Sequence, residues 1–499
     1  TTLNEAMDKT GGNASFVVSA GDQIQTTKKK SPGKSEMTSE IEYTGYLSPD
    51  VLKSLPVATT VGNHDADNAN YTYHFNTPNS SDLGSNGVVG GDYYFTYGNT
   101  LFMMLNTQDT NAAEHKQFME QAIAANPNCT WRVVTLHQDI YGSAEHSNEP
   151  EITNLRYTLV PYFEANDVDV VLTGHDHAYS RTHILEGGHK TVEYTDDEFD
   201  AELDKDMDAG ENPATRYEAP ANISTDSKEP ADVAYLNYLN AVMDKDAIED
   251  TEKGETVVNP DGILYMTANS SSGSKYYDLV PRMQSYIANR WQEDVPTYSV
   301  IDVTDNTFTI NTYRTDNDQK IDETFTIKKG VTEDIKSASV GKVKNQIYTG
   351  KQIQPALKVT LNGKTLKAGK DYTVTYTDNK NTGLAKATIN GIGKYTGTQT
   401  VTFKIVPKKA VLKTVKAGKS GTATVTIGKA GGKVSGYAIQ VSTDSSFKKV
   451  TTYRTAKTTY ALKNLSKGKT YYVRVKAFTK VSEKNVYGAA SKTIKVKAK

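Results

Sequence analysis

Sulfur and tryptophan are scarce in this 499-residue chain, which has one cysteine, Cys129, and two tryptophans, Trp131 and Trp291. A lone cysteine excludes an intrachain disulfide, and a secreted eukaryotic protein of this size ordinarily carries several. No apolar run approaches the ~20 residues that cross a bilayer, so no membrane span is expected. An initiator methionine and a leader are also missing. Thr1 reads as part of a helix that includes Leu3 to Met7, so the sequence is expected to continue upstream. Basic residues are rare in the first two thirds. Residues 1–335 hold 23 Lys and Arg against 55 Asp and Glu, whereas residues 336–499 hold 34 against 4. The net charge of −2 thus hides an acidic part and a basic part, an asymmetry that bears on partners and solubility rather than on fold.

Four segments stand out against this background: Gly21-Asp22, Gly62-Asn63-His64-Asp65, His137, and Gly174-His175-Asp176-His177. Each follows a short strand-like run: Phe16 to Val18, Leu55 to Thr59, Val133 to Leu136, and Val168 to Leu172. Strands broken by helical stretches indicate an α/β fold, whose ligands gather beyond the carboxyl ends of the strands. One carboxylate, one amide oxygen and three imidazoles suit a pair of divalent metals better than a thiolate-bound structural zinc.

In this order the motifs resemble the calcineurin-like metallophosphoesterases, and among them the purple acid phosphatases and their bacterial relatives. The resemblance covers roughly residues 1 to 330 and extends to Trp131-Arg132-Val133-Val134, Ala178-Tyr179-Ser180-Arg181 and Pro296-Thr297-Tyr298-Ser299-Val300. It implies a four-layer αββα sandwich. Asp22 would bridge two metals, Asn63, His137 and His175 would complete one site, and His177 would belong to the other. His64 is expected to touch phosphate, with Asp65 orienting its ring. His146 aligns with the first of two adjacent substrate-contacting histidines of plant members; Ser147 replaces the second. Tyr141 falls where those proteins have a tyrosine by the pocket. The family's first Asp motif is expected upstream of Thr1. Gln25 replaces the tyrosine that stabilises ferric iron, so a colourless pair of divalent ions (zinc, manganese or ferrous iron) is implied. Such a pair would generate hydroxide near neutral pH and hold phosphorus for in-line attack. Asp176 and the remaining histidines are read as surface or structural.

Length and composition divide the rest. The expected domains are 1–331, with an acidic insertion at about 191–255, then 332–407 and 408–499. The insertion directly follows the last motif and is expected at the active-site rim. It carries a weak calcium pattern in Asp204, Asp206, Asp208 and Gly210. Lys28-Lys29-Lys30-Ser31-Pro32-Gly33 reads as a loop. Two all-β sandwich modules are expected to follow. Tyr348-Thr349-Gly350-Lys351 and Gly393-Lys394-Tyr395-Thr396-Gly397 resemble a bacterial Ig-like repeat. Leu462 to Val475 resembles the E–F corner of a fibronectin type III domain, with Tyr471 as corner tyrosine, although the usual strand-B tryptophan is absent.

These features imply a secreted or wall-associated phosphatase, from a Gram-positive bacterium, acting on phosphorylated small molecules. Its basic tail would be free to meet anionic cell-wall polymers; no nucleic-acid partner is expected. A phosphodiesterase on the same scaffold and a decayed surface-binding protein are the alternatives.

Overall fold

In the computed structural model, residues 1–26, 34–188, 195–209, 224, 226–243, 247–249, 256–280 and 283–499 are described. The chain divides into two units, Thr1–Lys329 and Gly330–Lys499.

The first unit begins with α1 (Thr2–Lys9), followed by the parallel pair β1 (Val17–Ser19) and β2 (Val57–Thr59). β3 (Tyr93–Tyr97), β4 (Thr100–Met104), β5 (Trp131–Thr135), β6 (Val170–Thr173) and β7 (Tyr179–Thr182) come next in sequence. They are followed by β8 (Thr256–Val258), β9 (Leu264–Thr267), β10 (Ile287–Trp291), β11 (Thr297–Val303), β12 (Thr307–Arg314) and β13 (Phe325–Lys328). One seven-stranded sheet runs β10-β7-β9-β6-β5-β4-β3, and a four-stranded sheet runs β11-β12-β13-β8. β4, β5, β6 and β9 are mutually parallel, so their carboxyl ends share one edge. β5 and β6 are β-branched-rich and almost wholly buried, as central parallel strands covered on both faces must be.

The two faces of the large sheet bury different cores. One presents Met103, Val134 and Val171 to helices α2 (Ala112–Ala125) and α3 (Pro150–Ala165), which contribute Phe118, Met119, Leu159 and Phe163. The other sets Trp131, Val133, Leu172 and Met266 against Phe308, Ile310, Phe325 and Ile327 of the small sheet. Each fully buried Leu or Phe contributes about 1.5–3 kcal/mol by leaving water. α1 attaches to the small-sheet side, with Lys9 Nζ 4.3 Å from the centre of the Tyr313 ring. Helix, sheet, sheet, helix is the layer order that results.

The acidic insertion does not emerge at the edge where the motif loops lie. β7 is antiparallel to β9 and carries the chain away from that edge. Leu185 then pairs with both Ile248 and Ile263, at the amino-terminal end of β9. The insertion therefore leaves and rejoins the domain at the opposite end of the sheet, which corrects the expectation of a rim position. Within it, Asp196–Ala209 and Pro230–Met243 are helical. Of the calcium pattern, Asp204, Asp206 and Asp208 fall within the helix Asp196–Ala209, while Gly210, like the Lys28 to Gly33 loop, lies outside the described residues.

The second unit is all β in its regular strands and has separate cores. Ile335, Val359, Tyr372, Ile389 and Tyr395 form one cluster, and Ile353, Ala385, Ala387, Phe403 and Ile405 a neighbouring one. Val425, Ile439, Leu462, Val473 and Val475 centre another between the sheets of residues 411–497. There the Tyr471 hydroxyl accepts the Ser466 N–H at 2.9 Å, the back-bond of a corner tyrosine.

Candidate metal centre

Each candidate ligand sits two to four residues beyond a strand, where the chain must turn sharply. Asp22, His175 and His177 have φ of 55°, 72° and 49°, the left-handed region that L-residues seldom occupy. Gly21 (φ 95°) permits the close approach of the His137 loop; a Cβ there would lie 2.5 Å from His137 Nδ1. A Cβ on Gly62 would overlap the Asp22 carboxylate and backbone nitrogen.

These turns bring four atoms together. His137 Nε2 lies 3.0 Å from Asn63 Oδ1, 3.3 Å from Asp22 Oδ2 and 3.1 Å from His175 Nδ1. His137 Nδ1 lies 2.8 Å from the Ala20 carbonyl, so it carries the ring hydrogen and Nε2 presents a lone pair. Asn63 Oδ1, the ionised Asp22 Oδ2 and His137 Nε2 are thus acceptors gathered together, and His175 Nδ1 joins them in the tautomer that carries its hydrogen on Nε2. That donor set fits a divalent cation with mixed nitrogen and oxygen ligands. Asp22, His137 and His175 also converge by carboxylate oxygen and ring nitrogen alone.

The charges agree with this geometry. Burial favours the neutral Asp22 carboxyl, but His137 and His64 outweigh it and hold its pKa well below the usual carboxylate range. Burial opposes charge on His137, and Asp22 more than compensates, raising its pKa. Burial and the His137 charge push His175 down to about 3. The Asp22 charge thus favours a proton on His137 while burial disfavours one on His175, and a cation bound here would require both rings neutral.

His177 lies outside the convergent cluster. Its Nδ1 is 3.0 Å from the Lys275 carbonyl, which leaves Nε2 as the ring nitrogen with a lone pair, and burial lowers its pKa. His64 Nε2 is 4.0 Å from Asp22 Oδ2, and its backbone N–H donates to Asp22 Oδ1 at 2.9 Å.

Three expectations need correction. Asp65 does not orient the His64 ring; the Gln25 carbonyl does, 2.8 Å from Nδ1. The Asp65 carboxylate is instead buried beneath the turn, accepting from Gly62 N–H at 3.0 Å and the Tyr43 hydroxyl at 2.8 Å. Burial, reinforced by Asp22, raises its pKa to about 7. Tyr141 is 2% exposed and does not line the site; it packs on Tyr265 and Tyr286 with the Arg156 guanidinium 4.6 Å from its ring centre. Asp176 is 1% exposed rather than at the surface. It receives Ser147 Oγ at 2.7 Å and the His146 N–H at 3.2 Å. Ser147 Oγ also lies 2.5 Å from the buried Asp139, and one hydroxyl hydrogen cannot serve two carboxylates. The pair therefore retains a proton. Burial and the Asp176 charge raise Asp139 well above its usual range, and burial lifts Asp176 to about 6.

His146 stands near the centre, its ring 6.1 Å from that of His175. Its Nδ1 lies 2.5 Å from Glu149 Oε1, and this bond, against the opposing effect of burial, raises its pKa. Sequence reasoning missed Glu149, although its position three residues after His146 was a usable signal. It also missed Lys275 and Tyr277, which reach the site from a loop about 100 residues downstream and left no local pattern.

Residues 1–179 match the calcineurin-like phosphoesterase family model, and residues 412–493 match the fibronectin type III domain. An uncharacterized protein of Mycobacterium tuberculosis, found in two strains, is 26% identical over 156 residues, or 26% of this chain and 29% of that protein. The chain therefore spans under a third of the curated relatives it matches. A purple acid phosphatase from yellow lupin (Lupinus luteus) seeds aligns with 66% of this chain and 49% of its own, at 13% identity and a TM-score of 0.40. The sixth fibronectin type III domain of a human fibronectin type III domain containing protein 3 aligns over 18% of this chain and 85% of its own. Its identity is 22% and its TM-score 0.16.

Proposed function

We propose that the N-terminal unit, with its calcineurin-like phosphoesterase match, is a metal-dependent phosphatase that hydrolyses phosphomonoesters with two divalent cations. The observation that carries this reading is the convergence of Asn63 Oδ1, Asp22 Oδ2 and His175 Nδ1 on His137 Nε2. His137, His175, Asn63 and Asp22 would hold one cation, and Asp22 and His177 would contribute to a second. When bound, such cations neutralise phosphate oxygens and make a strong nucleophile of water near neutral pH. The chain's own side chains supply the rest. His64, its Nδ1 tied to the Gln25 carbonyl, offers Nε2 to a phosphate oxygen beside Asp22. His146, kept protonated by Glu149, gives its Nε2 proton to the leaving oxygen as the phosphorus–oxygen bond breaks. Such proton transfer is worth about 10²–10⁴-fold.

One observation favours a phosphodiesterase as second reading. Ser147 is buried between Asp139 and Asp176 and gives the leaving group no contact. Without a second histidine at that position, leaving-group recognition changes. Residues 332–407 are read as an Ig-like module and 408–499 as a fibronectin type III module of a secreted, Gram-positive protein. Among the described residues no helix is long and apolar enough to cross a membrane.

The reading is tested on para-nitrophenyl phosphate. His64→Ala is expected to keep its metal and lose at least about a hundredfold in turnover. Asn63→Ala is expected to bind metal more weakly. Parent-like hydrolysis by both variants would reject the assignment.

A further inference from the structure

The loop between β9 and β10 ties itself to both sides of the metal centre. It starts where Ala268 N–H donates to the Thr173 carbonyl, at the root of the His175–His177 turn. Later, Leu279 pairs with Ala144 and Val280 N–H donates to the Ser143 carbonyl, at the root of the His146 loop. Between these anchors the Lys275 carbonyl holds His177 Nδ1 at 3.0 Å. The Tyr277 ring stands 4.4 Å from that of His146, nearly perpendicular at 87°, and 5.1 Å from that of His177. Lys275 Nζ lies 4.2 Å from the Tyr277 ring centre and contacts its hydroxyl. Among the described residues, no carboxylate forms an ion pair with that exposed ammonium.

The Tyr277 ring thus adjoins His146, the side chain proposed to face the leaving group, and carries on it an ammonium that no described carboxylate pairs. We propose that Tyr277 and Lys275 form the leaving-group subsite, and that this subsite selects phosphoesters with a flat leaving group bearing its own negative charge. This rests on the phosphoesterase reading above. Tyr277 would stack on the flat group, an arrangement aromatic rings favour at centroid separations of about 4.5–7 Å. Lys275 would meet the anionic substituent, since a cation resting on an aromatic face keeps donors for an incoming anion. The loop carbonyl also orients a metal ligand, so subsite and metal centre are fixed relative to each other.

Phosphonates separate recognition from turnover, because they bind without being hydrolysed. The zinc-loaded full chain is titrated calorimetrically with methylphosphonate, phenylphosphonate and 4-carboxyphenylphosphonate. The expected affinity order is 4-carboxyphenyl over phenyl over methyl. Tyr277→Leu is expected to cut the phenyl-to-methyl ratio about fivefold or more. Lys275→Met, which retains the main-chain bond to His177, is expected to cut the 4-carboxyphenyl-to-phenyl ratio by a similar factor. Zinc content is measured in each variant, because a purely structural loop would lower it without changing either ratio. Ratios equal to those of the parent would overturn the subsite and leave the metal centre standing. Failure of the zinc-loaded parent to bind any phosphonate would overturn the phosphate-holding centre itself and the subsite with it.

Discussion

The His146 pKa is raised by what lies behind the ring. Glu149 bonds one ring nitrogen and Asp176 adds negative charge, so the imidazolium persists above its ordinary pH range. A general acid works only while protonated, and turnover should therefore fall as pH rises through the raised pKa. Glu149→Gln removes the principal raising contact. Its alkaline limb in kcat is expected to move to lower pH, read from a pH–rate profile; an unmoved limb would separate His146 from proton transfer. Single residues are legible where their role depends on where a strand ends. Asp22, Asn63, His137 and His175 converge as the strand pattern implies. Residues inside turns are not. Asp176 reads as a residue on an alternating segment, but left-handed φ at both His175 and His177 breaks the two-residue period and turns its carboxylate inward. Asp65 folds back on the N–H of Gly62, a local bond that a short turn offers any aspartate three residues on.

Strands and their connecting turns set the precision of the site. β1 and β2 run parallel in register, Val17 against Val57, and deliver Asp22 and Asn63 side by side. Gly62 lies where the two turns touch. Gly62→Ala would drive a methyl group into the Asp22 carboxylate, so at least tenfold weaker zinc binding is expected by titration, with the far C-terminal sheets still folded by circular dichroism. Unchanged affinity would show that the turns can give way without cost. Strand identity is legible from runs such as Trp131–Thr135, and helix α2 from its apolar spacing. The path of the insertion is not, because the antiparallel sense of β7 follows from pairing with β9 and β10, both distant in sequence.

Across the whole chain, charge is divided between acidic and basic parts. Residues 336–499 hold 34 Lys and Arg against 4 Asp and Glu. Lysine on exposed strand faces also resists edge pairing, so the basic tail has a purely protective explanation. Attachment to phosphate-rich wall polymers makes a different prediction. Co-sedimentation of the full chain with purified Gram-positive walls should weaken steeply between about 0.1 M and 1 M salt, as the Debye length falls from about 10 Å to about 3 Å. Walls stripped of teichoic acid should retain little of it. Retention indifferent to salt and to stripping would contradict an electrostatic tether.

The central claim is that Asp22, Asn63, His137 and His175 hold a divalent cation that phosphoester hydrolysis requires. Its most direct test is the turnover of para-nitrophenyl phosphate by chelator-stripped full-chain protein as zinc, manganese or ferrous iron is returned. Activity should be absent after stripping, return with added metal in a colourless protein, and fail to return in His137→Ala. Stripped protein that turns over as fast as loaded protein would contradict the account, as would a His137→Ala variant fully restored by metal.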